Sequence, residues 1–132
     1  MSVRDEVERV FEEINKRKGE ITLSEIRALF ESIGFEEVTP EHLSSILNVS
    51  PEEARELFRS VMRSRESKAG NLVFSYFSPL LLFRHRESDF YVTVEYDYTL
   101  SRGGVFTGTF YTAEMLRNEL EYWRGGALAN IR

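Results

Sequence analysis

The hydrophobic pattern of this 132-residue chain changes period near its middle. Over residues 1–68 the apolar side chains recur three or four positions apart, whereas the stretch DFYVTVEYDYTL, residues 89–100, alternates strictly between apolar and polar side chains. The first period is typical of helices and the second of strands. The sequence therefore predicts an α+β fold, with a helical half over 1–68 followed by a small antiparallel sheet and a closing helix over 69–132.

Four segments of the first half combine an apolar stripe with helix-capping residues. Glu25 lies where a capping box needs it. Pro40 and Pro51 each occupy a first helical position, and Gly34 is placed to end the second helix. The predicted N-terminal caps are Ser2, Thr22, Thr39 and Ser50. These features predict four helices before the sheet.

The second half contains the strand signals. In residues 90–100 one face is predicted to be buried and the other wet. The buried face comprises Phe90, Val92, Val94, Tyr96, Tyr98 and Leu100, and the wet face comprises Tyr91, Thr93, Glu95, Asp97 and Thr99. The turn residues SRGG, 101–104, predict a hairpin with VFTGTFY, 105–111. Residues 71–77 are predicted as a further strand, and residues 79–86 fit a helix or a strand, with strand favoured.

The end of the chain predicts a closing helix. Thr112 is its expected cap, and Gly125 and Gly126 its expected end. Its apolar stripe is predicted to contain Met115, Leu116, Leu120 and Trp123. Because 132 residues suit one hydrophobic core, we expect a single domain over 1–132.

Composition excludes several classes of protein. The chain has no cysteine, which removes disulfides and thiolate chemistry, and no apolar run approaches the ~20 residues that span a bilayer. The sequence therefore predicts a soluble, cytoplasmic protein without a membrane role. The absence of Gln and the nineteen Glu and fourteen Arg favour a thermophilic source, and a viral or mobile-element origin is compatible with so short a chain.

The segment LSSILNVSPEEARELF, residues 43–58, has apolar residues where two helices pack across a short turn. These residues are Leu43, Leu47, Val49, Ala54 and Leu57. Ser44 is small where the helices approach, and Asn48 stands at the position that requires a left-handed backbone. The segment resembles the helix-turn-helix superfamily, and the downstream hairpin extends the resemblance toward winged helices. This resemblance implies that the fourth helix enters the DNA major groove.

The charge of the fourth helix opposes that implication. Glu52, Glu53 and Glu56 lie in its first two turns, where the helix dipole favours acids but DNA phosphates would be repelled. The net charge of −5 also disfavours nucleic acid unless cations gather on one face. The candidate residues for contact with DNA or a protein partner are Arg55, Arg59, Arg63, Arg65, Lys68, Arg84 and Arg86.

A second stretch, FEEINKRKGEITLSEIRALFESIGF, residues 11–35, resembles an EF-hand. Gly19, Ile21 and Glu25 match the glycine, the short β contact and the final glutamate of such a loop. The ligand positions offer Asn15, Lys16, Arg17 and Lys18, which cannot hold calcium. This resemblance implies a metal-free module that binds protein.

The sequence shows no catalytic constellation. His42 and His85 stand apart from any metal-ligand spacing, and Glu95 with Asp97 fits the wet face of a strand. The sequence predicts no enzyme, no cofactor and no metal. Two hypotheses remain open: a regulator that contacts DNA or the transcription machinery, and a protein–protein adaptor without a nucleic-acid role. Both leave the oligomeric state open, a homodimer included.

Overall fold

The computed structural model describes residues 2–63, 81–97 and 104–122. Five helices and five strands lie within these ranges. The helices are α1 (Val3–Lys16), α2 (Leu23–Ser32), α3 (Pro40–Leu47), α4 (Pro51–Arg63) and α5 (Ala113–Tyr122). The strands are β1 (Phe35–Glu37), β2 (Leu81–His85), β3 (Phe90–Asp97), β4 (Val105–Thr107) and β5 (Phe110–Thr112). The α+β architecture is confirmed, and none of the described helices is long and apolar enough to cross a membrane.

The five strands form one antiparallel sheet in the order β1-β2-β3-β4, with β5 also paired to β3. The predicted hairpin between residues 90–100 and 105–111 is present in its described part, where Tyr96 lies opposite Phe106 and Tyr91 opposite Tyr111. Residues 81–85 form a strand, which agrees with the prediction that favoured a strand over a helix for residues 79–86. The predicted strand at 71–77, the turn residues 101–103 and the stop at Gly125 lie outside the described residues.

The prediction of four helices followed by the sheet was wrong in one respect. Strand β1 lies between α2 and α3 and pairs with β2, so that Glu36 is opposite Arg84. Gly34, with a φ of 92°, turns the chain from α2 directly into β1, and its carbonyl accepts a hydrogen bond from the Arg86 backbone N–H at 2.9 Å. The helical half and the sheet are therefore interleaved in the chain.

The sheet is covered on both faces, and each face has its own apolar cluster. One cluster joins α1 and α2 to the sheet, with Phe30 at its centre stacked on Phe83 at 4.5 Å between ring centroids. The other joins α3, α4 and α5 to the opposite face, where Leu82 and Tyr91 are buried. The alternation of side chains along β2 and β3 divides them between these clusters.

The predicted wet face of β3 was therefore partly wrong. Tyr91 and Thr93 are 3% and 1% exposed because helices cover that face as well. The Thr93 hydroxyl is satisfied there: it donates to Glu95 at 3.0 Å and accepts from the Thr109 backbone N–H at 2.9 Å. Met115, expected in the apolar stripe of α5, is 51% exposed.

The predicted helix caps are confirmed for all five helices. The side chains of Ser2, Thr22, Thr39, Ser50 and Thr112 each accept a hydrogen bond from a backbone N–H three residues later, at 3.1–3.3 Å. Each such cap contributes about 1 kcal/mol to stability. Helix positions were therefore predictable from local sequence.

The residues that resemble an EF-hand loop have a structural role in the fold. The side-chain amide of Asn15 donates to the Phe106 carbonyl at 3.0 Å and accepts from the Phe106 N–H at 2.8 Å, as a neighbouring strand would. The ammonium of Lys18 donates to the Gly104 carbonyl at 2.7 Å. The end of α1 is thereby fastened to β4.

Replacing Asn15 with Ala should lower the free energy of unfolding by about 1–2 kcal/mol, because the two backbone groups of Phe106 lose their partner in a half-buried place. Urea denaturation measures the change. The control is Glu12→Ala, an exposed residue of the same helix, which should change stability by less than about 0.5 kcal/mol. Equal stability of the two variants would contradict the anchoring role.

Candidate functional site

A short turn joins helices α3 and α4. Asn48 has left-handed dihedral angles, φ 56° and ψ 47°, and is the C-terminal cap of α3. The Ser44 hydroxyl donates to the Val49 carbonyl at 2.7 Å across this turn. Leu43, Leu47, Ala54 and Leu57 are buried against the sheet. The two helices therefore share one buried cluster, and the other side of α4 is exposed.

The exposed side of α4 is rich in acids, and its first arginine is paired. Arg55 lies 3.5 Å from Glu52 on the same helix and 3.9 Å from Glu41 on α3. Glu52 and Arg55 are three residues apart on one helix, whereas the contact with Glu41 joins α4 to α3. Glu56 and Arg59 have the same spacing but are not among the ion pairs of the described residues.

A groove of about 420 Å³ lies beside the helix pair, between β1 and α3. Its lining combines three carboxylates with one guanidinium, one imidazole and two hydroxyls. These residues are Glu36, Glu37, Val38, Thr39, Glu41, His42, Ser45 and Arg84. Glu41 belongs to both surfaces, because it lines the groove and pairs with Arg55 of α4. The groove and the exposed side of α4 are therefore continuous.

The candidate basic residues do not gather in the described structure. Arg84 lines the groove, where its guanidinium lies 3.5 Å from the carboxylate of Glu36 and its side chain is 30% exposed. Arg59 and Arg86 are exposed. The side chain of Arg63, and Arg65 and Lys68, lie outside the described residues. Two of the seven candidates, Arg55 and Arg84, thus form ion pairs with carboxylates of the groove and of α4.

His42 is the residue that sequence reasoning undervalued. Its Nε2 atom lies 2.6 Å from the hydroxyl of Tyr91, and its Nδ1 atom lies 3.4 Å from Nη1 of Arg84. A guanidinium can only donate, so the contact with Arg84 is a hydrogen bond when Nδ1 accepts and the ring carries its proton on Nε2, which then donates to Tyr91. The geometry therefore favours a neutral ring with this tautomer.

Electrostatics favour the same state. Burial lowers the pKa of His42 below its usual value of 6.5, and the charge of Arg84 lowers it further, while Glu36 and Asp89 act in the opposite direction. Burial also raises the pKa of Tyr91. At neutral pH both groups are uncharged and share one hydrogen bond.

Acid should therefore weaken the fold through His42. Because the pKa of the folded state is the lower one, the unfolded chain binds more protons below about pH 6.5, and stability falls with pH there. Urea denaturation at about pH 7.5 and about pH 5.5 should show a larger loss for the native protein than for His42→Gln. His85→Gln is the control and should behave like the native protein; an equal loss in His42→Gln would contradict the assignment.

A second group of ionisable side chains lies on β5 and α5. Burial, together with the carboxylates of Glu119 and Glu95, raises the pKa of Tyr111 to about 12. Burial raises the pKa of Glu119 as well. Tyr111 is thus a neutral phenol at physiological pH and cannot serve as a base there.

Comparison of the chain with protein-family models, with curated proteins and with solved structures gives no match. Within the described residues, no three His, Asp or Glu side chains form a group that could hold a metal ion. The functional proposal therefore depends on the groove and the adjoining face of α4.

Proposed function

We propose that this chain is a small, non-enzymatic intracellular protein that binds a basic segment of a partner protein. The contact surface is the groove together with the exposed side of α4. The observation that carries the proposal is the position of Glu41, which joins the carboxylates of the groove to those of α4. A continuous surface with more carboxylates than cations attracts Lys and Arg side chains.

The carboxylates on this surface can still bind the cations of a partner. Of the three groove carboxylates, Glu37 is paired with Arg27 at 2.9 Å, whereas Glu36 and Glu41 meet their arginines only at 3.5 and 3.9 Å. Such exposed pairs contribute about 0–1 kcal/mol each, so exchanging an internal arginine for a partner's cation costs little. On α4, Glu53 and Glu56 are also exposed.

DNA binding is the second candidate, and one observation favours it. The turn at Asn48 and the packing of α3 on α4 are those that a helix-turn-helix unit needs. Against it, Glu52 and Glu56 are exposed on the helix that would meet the phosphates, and Arg55 is already paired. Each phosphate contact requires a cation that can displace a counterion. Protein binding is therefore the better supported function.

Fluorescence anisotropy of a labelled hexa-arginine peptide tests the basic-partner proposal. The variant Glu36→Gln/Glu41→Gln removes two groove carboxylates without changing side-chain size, and it should weaken binding about tenfold. The control is Glu8→Gln/Glu12→Gln on the exposed side of α1, which packs on the other face of the sheet. Equal weakening by both variants would show non-specific attraction and contradict a defined site.

A further inference from the structure

A titratable side chain, His42, lines the groove and contacts side chains of two strands. His42 lies on α3, Arg84 on β2 and Tyr91 on β3, and the imidazole touches both partners through its two nitrogens. The rings of His42 and Tyr91 also stack, with 5.8 Å between centroids and 30° between planes. A change in the charge of this ring must alter the arrangement of Arg84, because only a neutral Nδ1 accepts its hydrogen bond.

The surroundings of the imidazole determine how protonation would affect the groove. Charged or titratable groups reach it from every element packed around it. These are Glu36 on β1, Arg84 on β2, Asp89 in the turn before β3 and Tyr91 on β3. Glu37 and Glu41 also line the groove, but Glu37 is paired with Arg27 of α2 at 2.9 Å and Glu41 with Arg55 of α4 at 3.9 Å. A protonated His42 would stand 3.4 Å from a guanidinium and would compete with Arg84 for the carboxylate of Glu36.

Protonation also changes the charge of the groove. With a neutral imidazole, the three carboxylates of the lining are balanced by the three arginines that pair with them, Arg27, Arg55 and Arg84. The proton adds a positive charge at the place where a partner's cation would bind. The added charge weakens the attraction between the groove and a basic ligand, and the guanidinium of Arg84, which loses its hydrogen bond to Nδ1, repels the ligand as well.

We propose that His42 makes partner binding depend on pH, so that the groove holds a basic segment while the ring is neutral and releases it when the ring gains a proton. This inference rests on the proposed function. Its first step, the state of the imidazole, is a property of the free protein and can be measured without a partner.

Nitrogen NMR of the His42 ring tests that first step. At neutral pH we expect a protonated Nε2 and an unprotonated Nδ1, and Arg84→Ala should raise the pKa of the ring because it removes a neighbouring positive charge. The opposite tautomer, or an unchanged pKa in Arg84→Ala, would overturn the switch because Arg84 would not control the ring.

Binding of labelled hexa-arginine at about pH 7.5 and about pH 5.5 tests the coupling. Between these two pH values the affinity of the native protein should fall about fivefold more than that of His42→Gln. This factor is the effect expected of one unit charge that lies a few Å from the ligand's charge in water. His85→Gln, which alters the other imidazole, should keep the native pH dependence. An equal fall in the native protein and His42→Gln would overturn the switch and leave the groove as a basic-partner site. No binding at either pH would overturn the proposed function and the switch with it.

Discussion

Replacing Phe30 with Ala should lower the free energy of unfolding by about 3–5 kcal/mol. Phe30 is fully buried, stacks on Phe83 at 4.5 Å, and meets Phe11 and Phe35 edge to face at 5.8 and 5.7 Å. Three rings from α1, β1 and β2 would lose their common neighbour, and the rigid sheet could fill the cavity only partly. Chemical denaturation followed by far-UV circular dichroism measures the loss.

The matched control for Phe30→Ala is Leu23→Ala. Leu23 lies on the same helix but is 43% exposed, so its truncation should change stability by less than about 0.5 kcal/mol. A loss below about 1.5 kcal/mol for Phe30→Ala would show that the aromatic cluster is not a packed core.

Gly108→Ala should destabilise the protein by about 2–3 kcal/mol, the next largest effect. A β-carbon at this position would lie 2.6 Å from the Thr93 carbonyl oxygen and 2.5 Å from the ring of Phe11. The oxygen is part of the β3 backbone, so it cannot move unless the strand bends. The ring of Phe11 is held in place by its contact with Phe30. Gly108 therefore allows the chain to pass closely between β4 and β5.

Gly19→Ala is the control for Gly108→Ala, because no heavy atom lies within 4 Å of the β-carbon it would add. It should leave stability nearly unchanged. Thermal unfolding of both variants makes the comparison, and similar midpoints would contradict the close approach at residue 108.

The features that the sequence predicted well are local. Caps such as Thr22 and Thr39 act within one helical turn, and the left-handed Asn48 follows from its position in a short turn, so each could be inferred from a few neighbouring residues. The alternation along β3 predicted a strand for the same reason. None of these inferences required knowledge of a distant contact.

The features that the sequence did not reveal depend on distant pairing. Strand β1 has only three residues, and it exists because residues 35–37 meet residues 83–85 of β2. Tyr91 and Thr93 alternate with apolar neighbours as a wet face would, yet helices on the second side of the sheet bury them. Binary patterning cannot distinguish a covered polar face from an exposed one.

The candidate site was also distributed too widely along the chain to be inferred. Glu36, His42 and Arg84 come from three elements and meet only in the folded sheet. The one local signal was Arg84, a charge directly after the apolar residues LLF of β2. A charged residue in such a strand needs a partner, and the structure supplies Glu36 and His42.

Fluorescence anisotropy with two labelled ligands, hexa-arginine and duplex DNA, at about 50 and about 200 mM salt distinguishes binding of a basic partner from binding of DNA. The native protein should bind the peptide, lose affinity in Glu36→Gln/Glu41→Gln, and leave the DNA unbound at both salt concentrations. Salt-sensitive DNA binding that disappears in an Arg55→Ala/Arg59→Ala variant still folded by circular dichroism would contradict the account and establish α4 as a phosphate-contacting helix.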